Sequence, residues 1–161
     1  MIGESRISRA WRFQGSRPAV SDGVLFETAG DRLEATEIAS GRHLWSWGEA
    51  RAEAGERRLT PPAVANGRVL VGTWDGRLVS FEARTGAERW QVSVGAPVHW
   101  QPTMSGGSVF AGLEDGSVVC VRTGDPRDDA WPMWGGGSGH NGSIDRVNGY
   151  RSNGEQKKER V

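Results

Sequence analysis

The sequence predicts an all-β fold of four-stranded antiparallel sheets. Three observations carry that prediction: a stretch of chain that recurs every 40 to 45 residues, short apolar runs broken by turn residues, and no long window of helical periodicity. The recurrence is direct. NGRVLVGTWDGRLVSFEARTGAERW (66–90) lines up with DGVLFETAGDRLEATEIASGRHLW (22–45), with Leu33, Gly41 and Trp45 falling 45 residues before Leu78, Gly86 and Trp90. GGSVFAGLEDGSVVCVRTGDPRDDAW (106–131) is a third copy, placing Gly107, Gly112, Asp115 and Gly116 40 residues after Gly67, Gly72, Asp75 and Gly76. A period of that size with four strands per unit is the pattern of β-propeller blades.

The elements follow in chain order. Each unit opens on a Pro-containing lead, PAVSDG from Pro18, PAVANG from Pro62 and PTMSGG from Pro102, and the lead supplies the first strand. The middle strands are the runs of Val69, Leu70 and Val71, then Leu78, Val79, Ser80 and Phe81. Between them Asp75 and Gly76 suggest a type I′ hairpin. The third unit repeats this with Val109 and Phe110, then Asp115 and Gly116, then Val118 to Val121, and its lone thiol, Cys120, is expected to be buried and inert. A second turn at Gly41 or Gly86 leads to a fourth strand carrying Trp45 or Trp90. EARAEAGERRL (49–59) reads as a loop insertion. The expected division is a trailing strand of a preceding blade over 1–17, around Ala10, Trp11, Arg12 and Phe13. Blades follow over 18–61 and 62–101, then a blade or closing segment over 102–142 and a flexible tail over 143–161. Natural propellers close with ~4–8 blades, so three units predict an incomplete ring.

Composition sets outer limits. Leu, Ile, Val and Phe total only 30 of 161 residues, but eight Trp add apolar bulk and 24 Gly serve turns. Twenty basic and twenty acidic residues cancel, which gives no overall reason to bind nucleic acid or an anionic membrane. The N-terminus lacks the apolar core of a secretory signal. The chain as written is therefore expected in the cytoplasm, or in the periplasm if it is a fragment or mature form.

The residues that end each unit resemble a known family. SFEARTGAERW (80–90) is similar to the tryptophan-docking motif A-x-D-x-x-T-G-x-x-x-W of quinoprotein-like (PQQ-repeat-type) propellers. ATEIASGRHLW (35–45) matches it with Glu37 for Asp and Ser40 for Thr, and WPMWGGGSGHNG (131–142) resembles a segment these proteins use where a ring opens or closes. The resemblance implies that Trp45, Trp90 and Trp131 pack between blades near the turns of Gly41 and Gly86. It implies either an interaction platform or a quinone-dependent dehydrogenase.

The residues argue for the platform. A quinone enzyme calls for a metal site and often a vicinal cysteine pair, and one cysteine cannot make a pair. Asp75 and Asp115 read as turn residues, and His43, His99 and His140 have no metal-ligand spacing. The expectation is thus a noncatalytic interaction module or scaffold subunit with no cofactor and no metal. A protein partner or self-association would complete the ring, with no nucleic acid and no membrane. The alternatives are a fragment of a quinone-dependent dehydrogenase or a ligand-sensing propeller domain. Candidate partner anchors are Trp74, first among them, with Trp100 and Trp134.

Overall fold

The computed structural model describes residues 17–29, 31–48, 59–137 and 139–143. The expected trailing strand before Arg17, the insertion over 49–58 and the tail beyond Ser143 lie outside the described residues. These contain no helix, and so none long and apolar enough to cross a membrane.

Among the described residues eleven strands form three antiparallel sheets. Sheet 1 runs β1 (Ala19–Ser21), β2 (Val24–Ala29), β3 (Arg32–Glu37), β4 (His43–Trp47). Sheet 2 runs β5 (Ala63–Ala65), β6 (Arg68–Gly72), β7 (Arg77–Glu82), β8 (Glu88–Ser93). Sheet 3 holds β9 (Thr103–Ser105), β10 (Ser108–Gly112) and β11 (Val118–Arg122). These are propeller blades in an open ring. The third unit departs from the expected four strands, since among the described residues β11 is an edge. Where a fourth strand should run, the chain carries DPRDDAW (125–131), whose Pro126 and clustered aspartates disfavour a ladder.

The hairpin turns also differ from expectation. Positive φ at two successive residues, the mark of type I′, occurs in the leads at Asp22 and Gly23, Asn66 and Gly67, and Gly106 and Gly107. At the expected site only Gly76 is positive, at 82°. The Thr73 and Arg77 backbones close around Trp74, Asp75 and Gly76, and Gly76 N–H donates to Thr73 C=O. The result is a three-residue loop ending in a left-handed glycine.

Strand alternation gives every sheet two faces. One face carries Phe26 and Ala35 in sheet 1, Leu70 and Ser80 in sheet 2, and Phe110 and Cys120 in sheet 3, each pair directly opposed in the ladder. Its exposure runs 0% at Phe26, 1% at Leu70 and 40% at Phe110. Cys120 is exposed, contrary to expectation, because among the described residues no further sheet covers this side of sheet 3. The opposite face of sheet 2, Val69, Val71, Val79 and Phe81, is fully buried. Sheet 1 places Leu25, Glu27, Glu34 and Thr36 at the matching register positions, all only partly buried. The core therefore lies between the sheets, as blade stacking requires.

The segment after sheet 3 returns toward sheet 1 along the inner strands. Trp131 bridges Met104 of β9, Ser143 bridges Val20 of β1, and Val20 N–H donates to Gly142 C=O.

Candidate functional site

Two places bring the singled-out residues together. The first is the joint between sheets 1 and 2. Trp45 ends sheet 1 on β4 and lies against the β7–β8 turn of sheet 2, where a Cβ on Gly86 would stand 2.6 Å from its Cδ2. Its indole N–H donates to Ala83 C=O at 2.8 Å. Phe26 and Phe81 flank the ring at centroid distances of 6.1 and 6.0 Å. Only glycine suits position 86: φ is +71° and the ring occupies the side-chain space. Sequence reasoning missed Trp47, which meets Phe81 at 4.9 Å. Its one available signal was the two-residue spacing that puts it on the same strand face as Trp45.

The other two expected blade tryptophans sit differently. Trp90 lies half-buried on β8. Trp131 is fully buried, but on the inner side of β9, where Gly136 of its own segment presses on its ring and its Nε1 has no acceptor among the described residues.

The second place is a cavity of about 320 Å³ under that segment, lined by Arg17, Gln101, Trp131, Trp134, His140 and Asn141 among others. The Arg17 guanidinium lies 3.7 Å above the Trp134 ring, a cation–π contact. Gly135 N–H donates to Gln101 Oε1, and the Trp134 and His140 rings meet edge-on at 5.8 Å. Of the expected partner anchors, Trp100 and Trp134 are exposed and Trp74 is not. Trp74 is half-buried in the β6–β7 turn, edge-on to His99 at 4.3 Å.

The conspicuous carboxylates serve their own turns. Burial raises the Asp75 pKa, but hydrogen bonds from Arg77 and the Thr73 hydroxyl outweigh it and leave it lowered. Asp115 is held low by the Ser117 hydroxyl and backbone N–H. Among the described residues no three His, Cys, Asp or Glu side chains stand together as a metal's ligand set. Among the described residues the side chains do not make a complete quinone and metal centre.

A family model described as outer membrane protein assembly factor BamB matches residues 29–131, more than half of the chain. The chain belongs to that family. Relatives within this PQQ-repeat, BamB-type group include quinone-type alcohol dehydrogenases and BamB proteins. The 1-butanol dehydrogenase (cytochrome c) of Thauera butanivorans is 38% identical over 81 residues, covering 46% of this chain and 12% of the relative. The BamB of Burkholderia pseudomallei is 33% identical over 94 residues, covering 53% of this chain and 23% of the relative. Among solved structures, the quinohemoprotein alcohol dehydrogenase of Comamonas testosteroni superposes with a TM-score of 0.56 at 22% identity, over 71% of this chain and 21% of that one. That likeness shows the fold.

These findings correct the expectation of a chain outside catalysis, because quinone-type alcohol dehydrogenases stand among its relatives. The inference from the cysteine count failed because the chain spans only 12% of the dehydrogenase it matches at 38%, so its own residues do not sample the rest of such an enzyme. The cytoplasmic expectation gains no support from relatives named for outer-membrane protein assembly, which agree with the periplasmic alternative.

Proposed function

We propose that the chain supplies blades to a quinone-dependent alcohol dehydrogenase propeller, in which further blades complete the ring and the cofactor site. The observation that carries this reading is the 38% identity to a 1-butanol dehydrogenase. In it Trp45, with Gly86, is a blade joint, Trp90 and Gly41 are the corresponding parts of neighbouring joints, and Trp131 pins the closing segment to the inner strands. Trp100 and Trp134 are exposed contacts for the completing blades. The cavity under Trp134 is a wall of the channel, where Arg17 supplies a cation and the indoles supply flat apolar surface. The proposed compartment is the periplasm.

A second reading is favoured by the family description and by the Burkholderia relative: a platform within outer-membrane protein assembly. One experiment separates the two. The native protein is purified without denaturation, loaded with pyrroloquinoline quinone and calcium, and assayed for dye reduction driven by a primary alcohol. Alcohol-dependent reduction that follows the chain through purification is the expected result. No reduction, with outer-membrane assembly proteins co-purifying in constant ratio, would overturn the dehydrogenase reading and leave the platform.

A further inference from the structure

In sheet 3, β11 stands where β3 and β7 stand in sheets 1 and 2, but among the described residues no fourth strand lies beside it. The ladder fixes which of its backbone groups are free. Thr123 N–H donates to Gly107 C=O, and Leu113 N–H donates to Ser117 C=O. Bonded pairs alternate along an antiparallel ladder, so Val119 and Val121 turn their N–H and C=O toward β10, whereas Val118, Cys120 and Arg122 turn theirs outward. The counterparts of Arg122 do bond in that direction: Glu37 N–H donates to Arg42 C=O, and Glu82 N–H donates to Ala87 C=O. The loop after β11 does not cover the edge. It is drawn to sheet 2, where Asp125 and Asp128 accept from Asn66 and Asp128 also accepts from Arg68.

Side chains narrow what fits beside β11. The fourth strand of sheet 2 sets Trp90 opposite Ser80 and Val92 opposite Leu78; that of sheet 1 sets Trp45 opposite Ala35 and Trp47 opposite Leu33. The corresponding positions of β11 are Cys120, which is exposed, and Val118, which is 73% exposed. Charge is reversed at the next position. Glu37 pairs with Arg42 at 3.6 Å and Glu82 accepts from Arg89 Nε at 3.0 Å, each arginine standing where the fourth strand begins. Arg122 replaces those glutamates, is exposed, and has no carboxylate partner among the described residues.

We infer that the edge of β11 takes an extended peptide segment of a partner protein. The segment runs antiparallel to β11, with an acidic residue at Arg122 and apolar residues at alternate positions opposite Cys120 and Val118. Backbone hydrogen bonds hold such a strand, and the side-chain conditions select it. The fourth-strand sequences of this chain bring arginine to that point and would set like charges together, which is why the segment belongs to a different protein. This inference rests on the blade architecture and stands whatever the dehydrogenase assay returns.

The probe is a synthetic peptide containing Glu-Trp-Gln-Val, the stretch over 89–92 with its arginine exchanged for glutamate, titrated into the full chain at low salt. It should bind about fivefold or more tightly than the same peptide with arginine, and Arg122→Glu should invert that order. Hydrogen exchange at the amides of Val118, Cys120 and Arg122 should slow on binding while the amides of β6 and β7 keep their rates. N-methylation of the peptide's Trp and Val amides, which removes the donors facing β11, should abolish binding. Failure of the glutamate peptide to bind, equal affinity for both peptides, or binding that survives N-methylation would each overturn the proposal. So would protection of the three amides that grows with protein concentration in the absence of peptide, since the occupant would then be a second copy.

Discussion

Trp45 concentrates in one side chain what joins sheets 1 and 2: an indole nearly removed from water, a hydrogen bond to Ala83 C=O, two aromatic neighbours and a glycine under the ring. Trp45→Ala should cost about 3–5 kcal/mol, read from urea unfolding, because the cavity cannot close around a rigid strand. Gly86→Val strikes the same joint from the other side, through the left-handed backbone and a 2.6 Å clash. Combined with Trp45→Ala it should cost clearly less than the two single losses together. The resemblance to the docking motif implied that these two residues are neighbours. The placement of Trp131 beside β9, at the opposite side of sheet 3 from β11, was not legible in the sequence, because a one-dimensional pattern cannot say toward which side of a sheet the chain turns. At the opposite extreme, Cys120 should be alkylated in the isolated chain without unfolding, and a blade completing the ring over sheet 3 should slow that reaction. Its edge-strand position leaves it accessible.

At the level of elements, the loop after β11 is tied to sheet 2 by a polar network. Asp128 is buried and accepts from Arg68 Nη1 at 2.7 Å and from Asn66 Nδ2 at 2.9 Å. Asn66 also donates to Asp125, which Arg127 grips through two guanidinium nitrogens. Asp128→Ala leaves Arg68 beside a cavity with only Asp125, at 3.6 Å, as an ion-pair partner. Since Arg68 stays about a quarter exposed, a loss of about 2–3 kcal/mol is expected in thermal or urea unfolding, below the full cost of breaking a buried pair. Arg127, through its side chain and then its backbone N–H, holds the Asp125 carboxyl well below the usual carboxylate range. A carboxyl depressed in the folded state stabilises above its unfolded pKa of about 3.9 and ceases to do so as pH falls through the folded value. The contribution of Asp125 should therefore be constant from pH 5 to 8 and fade only below about pH 4, as acid titration of the wild type beside Asp125→Asn would show. These partners lie some 60 residues apart in sequence, and no local signal in DPRDDAW announces that one of its aspartates is buried.

Across the whole molecule, the two ends of the stack differ in kind. The far side of sheet 3 exposes Phe110, Val118 and Cys120, the very positions that are buried in sheets 1 and 2, while the outer side of sheet 1 mixes Val20 and Leu25 with Glu27, Glu34 and Thr36. An exposed apolar side of a sheet favours association. Phe110→Glu should lower binding of a hydrophobic dye while leaving the free energy of unfolding within about 0.5 kcal/mol of wild type, since the side chain is already about half in water. The blade repeat, the strand alternation and the glycine turns were determined by the sequence alone. Each depends on residues close along the chain, or on the fixed offset between one unit and the next. Which sheet faces are covered, where the fourth strand of the third unit fails and which aspartate is buried were decided only by the tertiary structure. Burial is set by neighbours brought from distant positions, and the repeat that gives equivalent residues the same local conformation does not give them the same surroundings.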